Sequence, residues 1–117
     1  MNKKTLTKRL DKAHSAFILR RDKRCVLCGS TNFLQCSHLL AGRRGSTRWD
    51  TTPDGNCHAM CVQCHHEHHN GRPDDYREWY IDTFGNESYD VLVRRHHQIR
   101  TWTRDEMLEL IVECEAG

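Results

Sequence analysis

Two Cys-x-x-Cys pairs, Cys25/Cys28 and Cys61/Cys64, enclose most of the chemically active residues of the chain. Each such turn presents two thiolates on one side. Two turns complete the tetrahedral four-sulfur set that a structural zinc prefers. A thioredoxin-like redox motif competes for one pair taken alone, but two pairs together argue for metal. The pairs are separated by 32 residues (29–60), more than a compact finger holds. Zinc here would close a long loop and fix its geometry, leaving the chemistry to other groups. Cys36 and Cys57 complicate the count and leave a Cys/His exchange in the ligand set open. Cys114, in an acidic segment, reads as core.

Six of the nine histidines lie between Gln35 and Gly71. His38 sits in a strand-like run and Asn56 opens a second. His65 follows Cys64 directly, where a helix should begin. The expected local order is strand, strand, helix. An imidazole titrates near neutral pH and can take a proton from water. His65 and His69, four residues apart, share a helix face. His58 is open to metal, phosphate and structural roles. Arg43, Arg44 and Arg48 fall in the loop after His38, where arginine forks suit phosphate oxygens; a solvated loop is the plainer reading. Trp49 reads as core ahead of a stacking wedge.

QCSH, then Asn56, then Cys61-x-x-Cys64-His65 resembles the HNH (ββα-metal) endonuclease motif in its zinc-clamped form. RCVLCG, LQCSHLLAGR, RWD, NCHAMCVQC, Gly71, DYR (75–77) and TRDEMLELI are similar, in order and spacing, to the phage NinG (lambda Rap) recombination nucleases. The likeness covers about residues 10–115. It implies a metal-dependent DNA endonuclease acting on branched or junction DNA. In that scheme His38 is the general base and Asn56 hydrogen-bonds the backbone of the loop between the strands. His65, with His69 beside it, holds one catalytic Mg²⁺ or Mn²⁺. Arg43, Arg44 and Arg48 would meet DNA phosphates, and His66 and His68 would face DNA or solvent. Two cuts per junction suit a homodimer. One departure stands out: Gln35, Cys36 and Ser37 precede His38, with no acidic metal ligand among them. Asp50 or a backbone group is expected to substitute.

These residues need elements to position them. Leu6, Leu10, Ala13 and Phe17 predict a helix over 5–23, capped by Thr5 or Thr7. Strands are expected over 32–40 and 56–60, and a helix from about Cys64 to the Asn70-Gly71 stop. Pro73 opens the next helix, with Tyr76, Trp79, Tyr80 and Phe84 on one face and Gly85 as terminator. A further helix runs from Asn86 to His97, with Tyr89, Leu92 and Val93 inward and His96 and His97 on the surface. Thr103-x-x-Glu106 is a capping box. It starts a last helix with Met107, Leu108, Ile111 and Val112 as its buried stripe.

The 117 residues suit one α+β domain: a basic helix (1–24), a zinc knuckle with its ββα-metal centre (25–71) and a helical remainder (72–117). Charged residues make up 29% of the chain and mean hydropathy is −0.82. No apolar run approaches about 18 residues, so no membrane span is expected. The first residues lack a signal peptide's apolar core, which points to an intracellular protein with reduced thiols. Nine Lys/Arg against two Asp give residues 1–24 a charge of +7; one Arg against five acids gives residues 101–117 a charge of −4. That asymmetry suits a face meeting a polyanion, although charge alone favours a solvated helix. Two other functions compete: a non-catalytic zinc DNA-binding recombination accessory protein, and a sequence-specific HNH nuclease of restriction or homing type.

Overall fold

The computed structural model describes residues 1–42 and 44–117. It is an α+β structure with five helices and one two-stranded antiparallel sheet among those residues: α1 (Lys3–Asp22), β1 (Leu34–His38), β2 (Cys57–Cys61), α2 (Val62–Asn70), α3 (Asp74–Phe84), α4 (Asn86–His96) and α5 (Arg104–Ala116). No helix among them is long and apolar enough to cross a membrane.

Helix α1 starts earlier than its apolar pattern suggested. The Asn2 side chain caps it by accepting from the Thr5 amide at 2.9 Å, so Thr5 lies inside the helix. Its buried row is Leu6, Leu10, His14 and Ile18, spaced by four. Ala13 and Phe17, expected there, are only half-buried. His14 holds a core position because its Nε2–H donates to the Asp50 carbonyl at 2.7 Å, which satisfies a buried polar group.

The register pairs Leu34 with Cys61, Cys36 with Ala59 and His38 with Cys57. Directly opposed residues share a face, so one face carries Cys36, His38 and Cys57 and the other Ser37, His58 and Met60. Helix α1 packs on the first face and α2 and α3 on the second. Every residue of β2 is buried. Among the described residues no third strand lies on the outer edge of β2. Instead Arg21 donates to the Cys57 carbonyl at 2.8 Å, Asp22 accepts from the Ala59 amide at 2.8 Å, and Val26 N–H reaches the Ala59 carbonyl at 3.0 Å. Residues from the expected basic face thus satisfy backbone groups that a bare edge would leave open.

Gly85, at φ 93°, ends α3 and starts α4 in a conformation that side-chain-bearing residues avoid. Tyr76, Tyr80 and Leu92 bury with Met60 and Cys25 in one core cluster. A second cluster joins Leu6 and Leu10 of α1 to Trp49, Met107 and Ile111. The Thr103–Glu106 capping box is present. The buried stripe of α5 is Met107, Ile111 and Cys114. Leu108 and Val112 are 41% and 66% exposed, because α5 packs only along one narrow seam against α1.

The connection from β1 to β2 is pinned by α4. His96, expected on the surface, is buried: Nε2–H donates to the Ala41 carbonyl at 3.0 Å, and Nδ1 accepts from the Thr47 hydroxyl at 2.7 Å. Asp50, considered as a metal ligand, is consumed structurally. Both its oxygens take Arg95 N–H groups at 2.7 Å, and Oδ2 also accepts the Asn56 amide at 2.7 Å. Gly55 is required beside it, since a Cβ there would stand 2.7 Å from the Asp50 Cβ.

Removing the charge should expose this dependence. Asp50→Asn leaves Arg95 without its carboxylate and should cost about 1–3 kcal/mol, less than the roughly 3–5 kcal/mol of a fully buried pair because the Arg95 side chain is 36% exposed and partly screened by solvent. A urea midpoint unchanged from wild type would contradict it.

Candidate metal centre and histidine cavity

Cys25 and Cys28 lie on a turn closed by Gly29 N–H to the Cys25 carbonyl at 2.9 Å, with Gly29 at φ 78°. Cys61 ends β2 and is also the N-cap of α2, its sulfur accepting from the Cys64 amide. Cys64 sits in the first turn of that helix. The four sulfurs lie within 4.8 Å of one another, and Cys28 and Cys61 are 3.6 Å apart. Tetrahedral zinc–sulfur bonds of about 2.3 Å separate sulfurs by about 3.8 Å, so the cluster fits a structural metal such as zinc. Burial raises the Cys25 thiol, but backbone hydrogen bonds at Cys61, Cys28 and Leu27 outweigh it and bring the group to about 7. Burial and the neighbouring thiols push Cys64 the other way. Four close thiols cannot all ionise unaided; a dication removes that conflict.

On the flank of the sheet, a cavity of about 440 Å³ is lined by His14, Cys36, His38, Arg48, His65 and His69, among others. His38, from the end of β1, donates Nε2–H to the Arg48 carbonyl at 2.9 Å. A carbonyl can only accept, so the neutral ring keeps its lone pair on Nδ1. His65 Nδ1 meets the Ser37 hydroxyl. With Nδ1–H donating to that oxygen, Nε2 is left as a ligand. The His65 and His69 ring centroids are 4.6 Å apart. Burial, and then the charges of His69, His68 and His38, lower the His65 pKa. That shift favours the neutral imidazole, the form a metal requires.

Asn56 stands behind the cavity, 1% exposed. Its Oδ1 accepts from Leu40 N–H at 2.7 Å and its Nδ2 donates to the Leu40 carbonyl at 3.0 Å. It thus holds the backbone two residues beyond His38. A wider crease of about 800 Å³ lies at the junction of the loop with α4, but its Asp50 and Arg95 pair with each other.

The arginines are placed less simply. Arg43 lies outside the described residues. Arg44 donates to the His96 carbonyl at 2.8 Å, clasping the loop to α4. Arg48 forks onto Asp11 at 3.0 and 2.6 Å, so its guanidinium forms a wall of the cavity with its charge already matched. His66 is exposed, as expected. His68 instead packs half-buried, 5.1 Å from the Tyr76 ring, because α3 covers that side of α2. His58 is structural: Nε2–H donates to the Pro53 carbonyl and Nδ1 takes the Tyr76 hydroxyl, both at 2.6 Å. Trp49 is core. No motif in the sequence marks His14 or Ser37 as a site residue. A polar residue in step with Leu6, Leu10 and Ile18 was the available signal for His14.

Two outcomes follow. A structural zinc carries on the order of 10 kcal/mol of folding free energy, comparable with a domain's whole stability. Cys25→Ser or Cys64→Ser should therefore unfold or aggregate the chain. Soluble, folded protein holding no tightly bound zinc by elemental analysis would refute the clamp. Burial also lowers the His58 pKa to about 4, from the usual imidazole value near 6.5. The unfolded state takes up its proton first, so this contribution is complete above pH 6.5 and lost as pH falls toward 4. At full size it is on the order of 3 kcal/mol. His58→Gln should be weaker at pH 7 but lose less stability than wild type between pH 6.5 and 4.5; parallel losses would assign the acid sensitivity elsewhere.

No curated protein and no solved structure matches the chain. The family model described as bacteriophage lambda NinG protein matches residues 1–117, and the chain belongs to that family.

Proposed function

We propose that the protein is a metal-dependent DNA endonuclease of the HNH type, working in phage recombination on branched or junction DNA. One observation carries the reading. His38, its Nε2 held by the Arg48 carbonyl, and His65, its Nδ1 held by Ser37, line one cavity at a strand–strand–helix turn. The branched substrate rests on the family likeness alone, and a homodimer would suit paired cuts.

In this mechanism His38 Nδ1 takes a proton from the attacking water, which adds to phosphorus as the bond to the leaving oxygen breaks. Nε2–H stays on the Arg48 carbonyl and spreads the charge that the ring acquires. Asn56 keeps the following backbone, and so the strand end, in place. His65, with His69 beside it, would hold Mg²⁺ or Mn²⁺, which supplies charge relief at the phosphate. Ser37 orients the His65 ring for that task. The Arg48–Asp11 pair presents N–H groups to DNA without a net charge, so exposed cations such as Lys23 and Arg24 would carry more of the non-specific attraction.

One observation favours a second reading, a non-catalytic zinc DNA-binding accessory protein. Asp50, one of two candidates (with a backbone group) to stand in for the acidic ligand missing beside His38, is committed to Arg95.

A substrate panel separates the readings. On linear, nicked, forked and four-way DNA with Mg²⁺ or Mn²⁺, His38→Ala should lose about 10²–10⁴-fold in cleavage, the usual contribution of a positioned base. Its fold, zinc content and DNA binding should persist. His65→Ala should also fail but recover in part at raised metal concentration, because it weakens a cation site and spares the base. Near-wild-type cleavage by His38→Ala would remove His38 from the chemistry. A wild type inert on every substrate with both metals would establish the accessory role. Cutting confined to one linear sequence would indicate a restriction or homing type.

A further inference from the structure

Three soft ligands meet outside the four-cysteine cluster. His14 comes from α1, Cys36 from β1 and Cys57 from β2, and one ligand atom of each lies within 4.8 Å of the others. No sequence spacing links them; the register does. Cys57 opposes His38, so it sits diagonal to Cys36 on the face of the sheet that α1 covers. His14 comes down onto that face between Leu10 and Ile18.

From these contacts we infer a second metal site at His14, Cys36 and Cys57, built for a thiophilic divalent cation, zinc being the natural occupant. Its fourth position opens to the cavity that His38 lines.

The donor chemistry supports this first. Two thiolates and one imidazole are a ligand set that zinc accepts, and three protein ligands with one open position are typical of sites that keep a water or substrate. A tetrahedral ion with bonds of about 2.3 Å to sulfur and about 2.0 Å to nitrogen places its ligand atoms about 3.4–3.8 Å apart. Small side-chain shifts from the observed spacing reach that geometry.

Preparation of the imidazole is an independent sign. His14 Nε2–H donates to the Asp50 carbonyl at 2.7 Å, which puts the lone pair on Nδ1. Metal-binding histidines are commonly fixed through the other nitrogen in this way. Asp50 is itself hydrogen-bonded by Arg95 and by the Asn56 amide. Charge balances too: a dication with two thiolates and a neutral ring is electrically neutral, which makes its burial tolerable. On binding, the Cys57 proton, now directed at the Thr47 and Arg48 carbonyls at 3.7 and 3.6 Å, leaves to solvent. Cys36, half-exposed at the cavity wall, gives up its proton to solvent in the same way.

Position completes the argument. His14 and Cys36 line the cavity, whereas Cys57 is 0% exposed behind them. The ion would therefore be held from the sheet side and open on the cavity side. The zinc clamp is closed by four protein sulfurs. The two sites should consequently differ in colour and in the rate of metal exchange. The inference does not depend on the nuclease reading, because its readout is metal content and spectrum.

The test uses the full chain, reduced and supplied with zinc, then desalted. Elemental analysis should find about two zinc ions per wild-type chain, with one leaving first to a weak chelator. Cys36→Ser, at a half-exposed position, should keep its circular dichroism and hold one. Titration of metal-depleted wild type with Co²⁺ needs no variant. Its second equivalent should add tetrahedral d–d bands and a thiolate-to-cobalt charge-transfer band about half as strong as the first, from two sulfurs in place of four. Cys36→Ser and His14→Asn should lose that second increment. One zinc per wild-type chain, together with a second cobalt equivalent lacking any thiolate band, would overturn the inference and leave the three residues as a hydrogen-bonded core cluster.

Discussion

Much of the structure depends on the carboxylate of Asp50. Its two oxygens bind Arg95 of α4 and the amide of Asn56, and its carbonyl binds His14 of α1. Three separate parts of the chain are thereby tied to one residue in a long connection whose described residues belong to no helix or strand. Such connections are normally where a small protein loses order. Here the loop is held tightly enough to act as scaffold, since the Arg48 carbonyl that fixes His38 belongs to it. A carboxylate that seemed available for metal is thus used one layer behind the cavity, where it orients the groups that face it.

The four-cysteine cluster governs the other wall. Cys61 is at once the last residue of β2, the cap of α2 and a prospective zinc ligand. His65 is the residue after Cys64, so its direction is set within one helical turn of the metal. Ser37 meets it from the neighbouring strand. A metal at the sulfurs and a ligand in the cavity are therefore mechanically linked through a single short turn, even though they share no ligand atom.

Local features of the sequence translated well into structure. The cysteine spacing, the strand–strand–helix order, the Gly85 break and the Thr103 capping box all depend on residues a few positions apart, and all are present. Features set by long-range packing did not. Nothing near His96 announces that Thr47 and Ala41 will enclose it. Leu108 and Val112 have apolar side chains in step with a helix, yet α1 covers too narrow a seam to reach them. The cationic N-terminal segment suggested an open polyanion surface. Two of its members, Arg20 and Arg21, are instead spent on backbone carbonyls of α5, the β1–β2 connection and β2. Charge counts cannot distinguish an arginine that faces solvent from one that finishes a sheet edge. The cluster of His14, Cys36 and Cys57 was hidden for the same reason, since only the strand register brings it together.

The seam between α1 and α5 also bears on how the chain comes into being. Arg20 reaches the Cys114 carbonyl across 94 positions, so this contact belongs to the slow, non-local class. At about 5–20 residues per second of synthesis, roughly 5–20 s pass between the emergence of α1 and that of the helix that covers it. During that interval the sheet can already engage His14 and Ile18, and Trp49 can meet Leu6 and Leu10, but the side of those leucines that Met107 and Ile111 cover stays open. Lys3, Lys4, Lys8 and Lys12 surround those two leucines and remain exposed. Their like charge would keep nascent chains apart until α5 arrives, giving the basic head a use in biogenesis that needs no polyanion at all.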